Sequence, residues 1–177
     1  MEHKSDAGEL GREVFCIKFD PNGNYLAAAC KDGTIRIYNI HGEKIKEAFV
    51  LNTDPGEKAP ITSIKWRPLK SAKATKNVLL AVTAKGVVQQ WHTSGKMLKC
   101  IKDDTNELYC ADYNADGSRF ATAGKDGKIR IYDELHDIKT VDILLTGTPS
   151  RPGHTNRLFC VKFDPVDPFV VASAGWD

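Results

Sequence analysis

The chain has 177 residues, 41% of them hydrophobic and 27% charged, the make-up of a globular protein able to bury a core. Aromatics at 8% and this share of charge exclude collagen, low-complexity disorder and a disulfide-dense mini-scaffold. Lys and Arg number 25 against 23 Asp and Glu, and a net charge of +2 is too balanced for a generic nucleic-acid or membrane binder.

Residues 1–12 are polar, without the apolar h-region of a secretory signal, and are expected to form a flexible segment. The first strand is predicted over Val14–Phe19, closed by the turn Asp20-Pro21-Asn22-Gly23. A second apolar run, Tyr25–Cys30, ends at Lys31-Asp32-Gly33. Thr34–Tyr38 then alternates, with Ile35 and Ile37 on one face. A weaker strand near Ile45–Leu51 precedes the polar link Asn52–Lys58. Helical periodicity is not sustained anywhere.

The same unit then recurs. VFCIKFDP at 14–21 returns as LFCVKFDP at 158–165, and DGTIRIYN at 32–39 as DGKIRIYD at 126–133, each identical at six of eight positions. The aromatics that end the first strand, Phe19, Trp66, Tyr113 and Phe163, are spaced by 47, 47 and 50 residues. Four units follow, at about 13–58, 59–103, 104–150 and 151–177. The second is the most diverged, and its stretch Ser71–Lys76 reads as a solvated loop with Lys70, Lys73 and Lys76.

Four short antiparallel strands at this period, the two DGxIRIY segments, and Gly153-His154 followed by LFCVKF and Ala172–Asp177 together resemble the WD40-repeat β-propeller family. The resemblance covers about residues 10–177. It implies an all-β partial propeller of about three and a half four-stranded antiparallel blades, since the fourth unit supplies two strands. A seven-bladed ring is usual in that family. The chain is therefore expected to be either a truncated WD40 product without independent function or one that needs further blades, or an oligomer, to close the ring.

Several residues invite a chemical reading. His154, Ser173 and Asp177 have the residue types of a hydrolase. In WD40 blades, however, a His after Gly, a Ser or Thr on strand two and an Asp at the next turn form a buried structural hydrogen-bond set. No G-x-S-x-G elbow accompanies them. Cys16, Cys110 and Cys160 share one place in three units. Sheets lie ~10 Å apart and thiolates about 2.3 Å from zinc, so equivalent cysteines cannot share an ion and are expected in the core. With Cys30, which also lies in an apolar run, they point to reduced, packed thiols and an intracellular protein, cytoplasmic or nuclear. Gly124–Lys128 lacks phosphate-loop spacing, and no metal or cofactor is expected.

The residue before each of those cysteines is Phe15, Tyr109 or Phe159, with Thr62 in the diverged unit. In the family, this position, the one two before it and the one before the turn Asp face the channel rim. The resemblance thus places Glu13, Phe15 and Lys31, then Glu107, Tyr109 and Lys125, then Arg157, Phe159 and Trp176 around one mouth. The implied function is a non-enzymatic scaffold that binds proteins or peptides there, with Glu13 and Glu107 suggesting a basic ligand. A hydrolase using Ser173 and His154 is the remote alternative.

Overall fold

The computed structural model describes residues 13–41, 45–52, 58–103, 105–136, 139–144, 147–148 and 151–177. The terminal segment 1–12 and positions 53–57 of the polar link lie outside the described residues. Strands β1 (Val14–Phe19), β2 (Tyr25–Cys30), β3 (Thr34–Asn39) and β4 (Lys46–Asn52) form one antiparallel sheet in sequence order. A second sheet holds β5 (Ile61–Trp66), β6 (Val78–Thr83), β7 (Val87–His92) and β8 (Met97–Lys102). A third holds β9 (Leu108–Tyr113), β10 (Arg119–Gly124), β11 (Ile129–Asp133) and β12 (Lys139–Leu144). A small hairpin of β13 (Gly147–Thr148) and β14 (Arg151–Pro152) leads to β15 (Leu158–Phe163) and β16 (Val171–Gly175), which pair with each other. The architecture is all-β, and no helix occurs among the described residues.

Local chemistry sets the strand ends. Asp20 Oδ1 accepts the Tyr25 amide at 2.6 Å and Asp20 Oδ2 that of Asn22 at 3.2 Å, closing the β1–β2 turn. Asn114 does the same for Arg119 in the third sheet, at 3.0 Å. The turn after β10 places Gly127 at φ +71°, where a side chain would be strained and its Cβ would meet the Asn156 carbonyl at 2.9 Å.

The first strands stand next to one another, β1 against β5, β5 against β9 and β9 against β15. The two middle sheets thus pack on neighbours through both faces, and the first and fourth through one. The far face of sheet one, Ala27, Ala29, Ile35 and Ile37, meets the near face of sheet two, Ile61, Ile64 and Trp66. Leu80, Val82 and Val88 meet Leu108, Ala111 and Tyr113 in the same way, and Ala121, Ala123, Ile129 and Ile131 meet Leu158, Val161 and Phe163. Alanines mixed with branched and aromatic residues across each interface let the sheets interdigitate.

Among the described residues the outermost faces have no such neighbour. Val14, Ile17 and Phe19, equivalent to the buried trio of each later sheet, are 51%, 56% and 64% exposed. On the opposite flank Ala172, Ala174 and Cys160 are exposed. This corrects the expectation of four packed cysteines. Cys30 and Cys110 are buried and Cys16 half-buried, but Cys160 projects from the face that no sheet covers.

Polar groups also join the sheets. Trp66 donates its indole N–H to the Lys18 carbonyl at 3.0 Å. Between sheets two and three, Arg67 donates to the Glu134 carboxylate and, at 3.3 Å, to Gln90 Oε1. Gln90 Nε2 in turn donates to Glu134 Oε2 at 2.6 Å and to the Tyr113 hydroxyl at 2.9 Å. All four side chains are buried, and burial raises the Tyr113 phenol well above its usual range.

Candidate functional site at the ends of the first strands

Every first strand carries a bulge at one place. Val14 pairs with Cys30 and Cys16 with Ala29, so Phe15 is the extra residue. The same skip isolates Thr62, Tyr109 and Phe159. A bulge re-aims its extra side chain and lets residues three apart share a face. That is why Val14 and Ile17, or Leu158 and Val161, lie together on the near face, while the aromatic between them turns out towards the strand end.

In units three and four these aromatics meet. Tyr109 and Phe159 stack with ring centroids 5.1 Å apart and planes 10° apart, and Trp176 tilts onto Phe159 at 4.8 Å. Trp176, 70% exposed, forms the outer end of this ladder. Phe15 stands apart, with no ring contact among the described residues. The intervening Thr62 explains the gap, because its hydroxyl turns to the Leu108 and Val82 carbonyls at 2.7 and 3.1 Å. Nine residues expected at one mouth therefore divide into a solitary Phe15 with its flanking charges and a joined group around Tyr109, Phe159 and Trp176.

The charges pair within their own units. Lys31 Nζ lies 2.8 Å from Glu13 Oε1, and Lys125 Nζ 2.5 Å from Glu107 Oε1. Tyr109 donates its hydroxyl to the other Glu107 oxygen at 2.6 Å. The hydrogen bond from Lys125, then that from Tyr109, holds the Glu107 carboxyl below the usual glutamate range. Burial, then the bond to Glu107, raises the Tyr109 phenol. Unit four replaces this Glu–Lys pair with Arg157 and Trp176. Among the described residues no carboxylate lies within ion-pair distance of the Arg157 guanidinium.

His154, Ser173 and Asp177 do come together. His154 Nε2 lies 2.8 Å from Ser173 Oγ, and Nδ1 lies 2.8 and 3.1 Å from the two Asp177 oxygens. The Asp177 carboxyl also accepts the Thr155 amide at 3.0 Å, and the His154 bond holds it below the usual aspartate range. The set ties the loop before β15 to the end of β16. It is partly open to solvent, not buried as expected, because β16 has no further strand beside it among the described residues. Ser173 sits in the middle of β16, paired with Val161, and not on the tight elbow that presents a nucleophilic serine.

Two arrangements escaped the sequence reading. Asp112, buried on β9, lies 2.7 Å from Lys65 Nζ and 3.6 Å from Lys162 Nζ, and accepts the Phe163 amide at 3.1 Å. It thereby links three sheets through the equivalent position of each first strand, where unit one has Lys18. The second is the bulge itself. Its only trace in the sequence is a pair of adjacent large residues, Val14-Phe15, Leu108-Tyr109 and Leu158-Phe159, that breaks the alternation of a strand.

Comparison with known proteins follows the same lines. Residues 6–39, 95–133 and 143–177, more than half of the chain, match the family model described as WD domain, G-beta repeat. The diverged second unit falls largely outside those segments. Periodic tryptophan protein 2 of Saccharomyces cerevisiae is 27% identical over 124 residues, 68% of this chain and 12% of that protein. Its homolog in Dictyostelium discoideum is 24% identical over 163 residues, covering 91% and 16%. The chain thus spans between about a tenth and a fifth of these relatives' length. A chain in the crystal structure of the mitotic checkpoint complex superposes with a TM-score of 0.75 at 16% identity, over 95% of this chain and 46% of that one. Repeat motifs, stacked four-stranded sheets and these similarities agree: the chain belongs to the WD40-repeat family, as part of a β-propeller.

Proposed function

We propose that this chain is a non-enzymatic scaffold that binds proteins or peptides at the channel mouth, with the Tyr109–Phe159–Trp176 ladder as the anchor surface. The observation that carries this reading is the bulge. In four units it diverts one residue from sheet-to-sheet packing, and in two of them an aromatic is stacked at the surface. Exposed aromatics held rigid by stacking lose little entropy on binding and dominate interface energetics. The solved checkpoint-complex chain belongs to a protein assembly, in keeping with such a role. A basic ligand, suggested by Glu13 and Glu107, would have to compete with Lys31 and Lys125 for those carboxylates.

The test is selection of peptides from a displayed library on the purified chain, followed by Phe159→Ala and Trp176→Ala. Anchor residues should weaken the selected peptides by about 2 kcal/mol or more, with the melting temperature little changed. Selected peptides that ignore both substitutions would place the binding face elsewhere.

A further inference from the structure

The mouth and the inner strands share one electrostatic feature. Glu13 and Glu107 are each already held by a lysine of their own unit. Arg157, whose carbonyl accepts the Trp176 amide at 3.1 Å, acts on Glu107 only through space and has no ion pair of its own among the described residues, so it is the surplus charge at the ladder. Further along the first strands the equivalent positions are Lys18, Lys65, Asp112 and Lys162, three cations to one carboxylate, of which Lys65 and Lys162 flank it. Asp112 is closest to Lys65, so Lys162 is only weakly compensated, and Lys18 has no ion pair among the described residues. The negative groups near unit four are engaged as well, Asp177 by His154 and Glu107 by Lys125 and Tyr109.

We infer that the ligand of this surface is an acidic peptide, whose aromatic or aliphatic residue packs on Trp176 and Phe159 while an Asp or Glu carboxylate pairs with Arg157. This rests on the peptide-binding reading above and specifies its partner. An arginine close to Phe159 in sequence and bonded through its backbone to Trp176 is suited to the task, since its planar fork grips a carboxylate through two parallel hydrogen bonds. The surplus of lysines along the first strands would draw acidic residues in the same direction and slow their escape at low salt.

The experiment uses two fluorescein-labelled hexapeptides, one alternating phenylalanine with aspartate and one alternating phenylalanine with lysine. Anisotropy is measured on the whole chain, on Arg157→Glu and on Trp176→Ala, each checked for folding by circular dichroism. The aspartate peptide should bind at least tenfold more tightly than the lysine peptide. Arg157→Glu should reduce its affinity at least tenfold and reverse the preference, and Trp176→Ala should weaken both. Tighter binding of the lysine peptide, or indifference of the aspartate peptide to Arg157→Glu, overturns the acidic-ligand inference. It leaves the mouth standing if Trp176→Ala still weakens binding. Indifference of both peptides to Trp176→Ala, or no binding of either at millimolar concentration, overturns the inference together with the docking surface.

Discussion

Arg67→Met makes a demanding test of how sheets two and three are joined. The guanidinium is buried against Glu134, Gln90 Oε1 and the Thr75 carbonyl, the last at 3.0 Å. Removing it leaves the fully buried Glu134 carboxylate with the Gln90 amide as its remaining side-chain donor at 2.6 Å. Breaking a buried pair from one side typically costs about 3–5 kcal/mol, because the orphaned charge keeps its desolvation penalty. Domains of this size lose roughly 2–4 °C of Tm per kcal/mol, so a fall of about 6–20 °C is expected. The double variant Arg67→Met with Glu134→Leu removes both charges. Gln90 then loses one acceptor but keeps the Tyr113 hydroxyl at 2.9 Å, and an unpaired buried donor costs about 1–3 kcal/mol. The double variant should therefore be more stable than Arg67→Met alone. Urea and thermal unfolding followed by circular dichroism supply all three values. A cost below about 1 kcal/mol for the single substitution, or a double variant no more stable than Arg67→Met, would refute the argument.

Three other outcomes are expected. His154→Ala should lower the melting temperature only modestly, since the partners left at Ser173 and Asp177 are partly open to solvent and can turn to water, and a serine-directed probe should not label Ser173 in the parent chain. Labelling there, with stability unchanged by the substitution, would favour the hydrolase alternative. Thiol reagent at pH 8 should modify exposed Cys100 and Cys160 quickly and Cys110 only on unfolding, since burial pushes the Cys110 thiol up to about 12. Glu107 should titrate below an ordinary glutamate in a carbon-detected NMR experiment, and Lys125→Ala should move it upward. With a depressed folded-state pKa, its contribution is fully present above the ordinary glutamate value and fades as pH falls through the folded one.

How much could be read beforehand depended on the range of each interaction. Strands such as Val14–Phe19 and Tyr25–Cys30 were legible because alternation and turn residues act within a few positions. The grouping of His154, Ser173 and Asp177 was implied by the family resemblance, whereas its openness to solvent was not, because that depends on which strands lie beside β16. Arg67 and Glu134, 67 residues apart in sequence, were not legible, since each looks like a solvated charge at a strand end until their two sheets are stacked. The pairing of Glu107 with Lys125 was missed for a different reason. Both were assigned to the mouth, but their proximity across β9 and β10 depends on strand register, which turned two apparent ligand contacts into one another's partners.

The stacking of sheets only on their immediate neighbours has a consequence for how the molecule breathes. Strands β6 and β10 are buried along nearly their whole length, and each of their sheets is clamped from both sides. Among the described residues of this 177-residue chain, sheets one and four are clamped from one side, and their outer faces expose Val14, Ile17 and Phe19 or Ala172 and Ala174. When coupling runs only between adjacent units, stability is close to a sum of unit and interface contributions, and opening begins at the ends. Amide hydrogen exchange should therefore be graded along the chain, fastest in β1 and in β15–β16 and slowest in β6 and β10. The ladder straddles this gradient. Tyr109 stands on a sheet held from both sides, whereas Phe159 and Trp176 belong to one held from a single side, so loss of order in β15–β16 would dismantle the binding face before it disturbed the middle sheets.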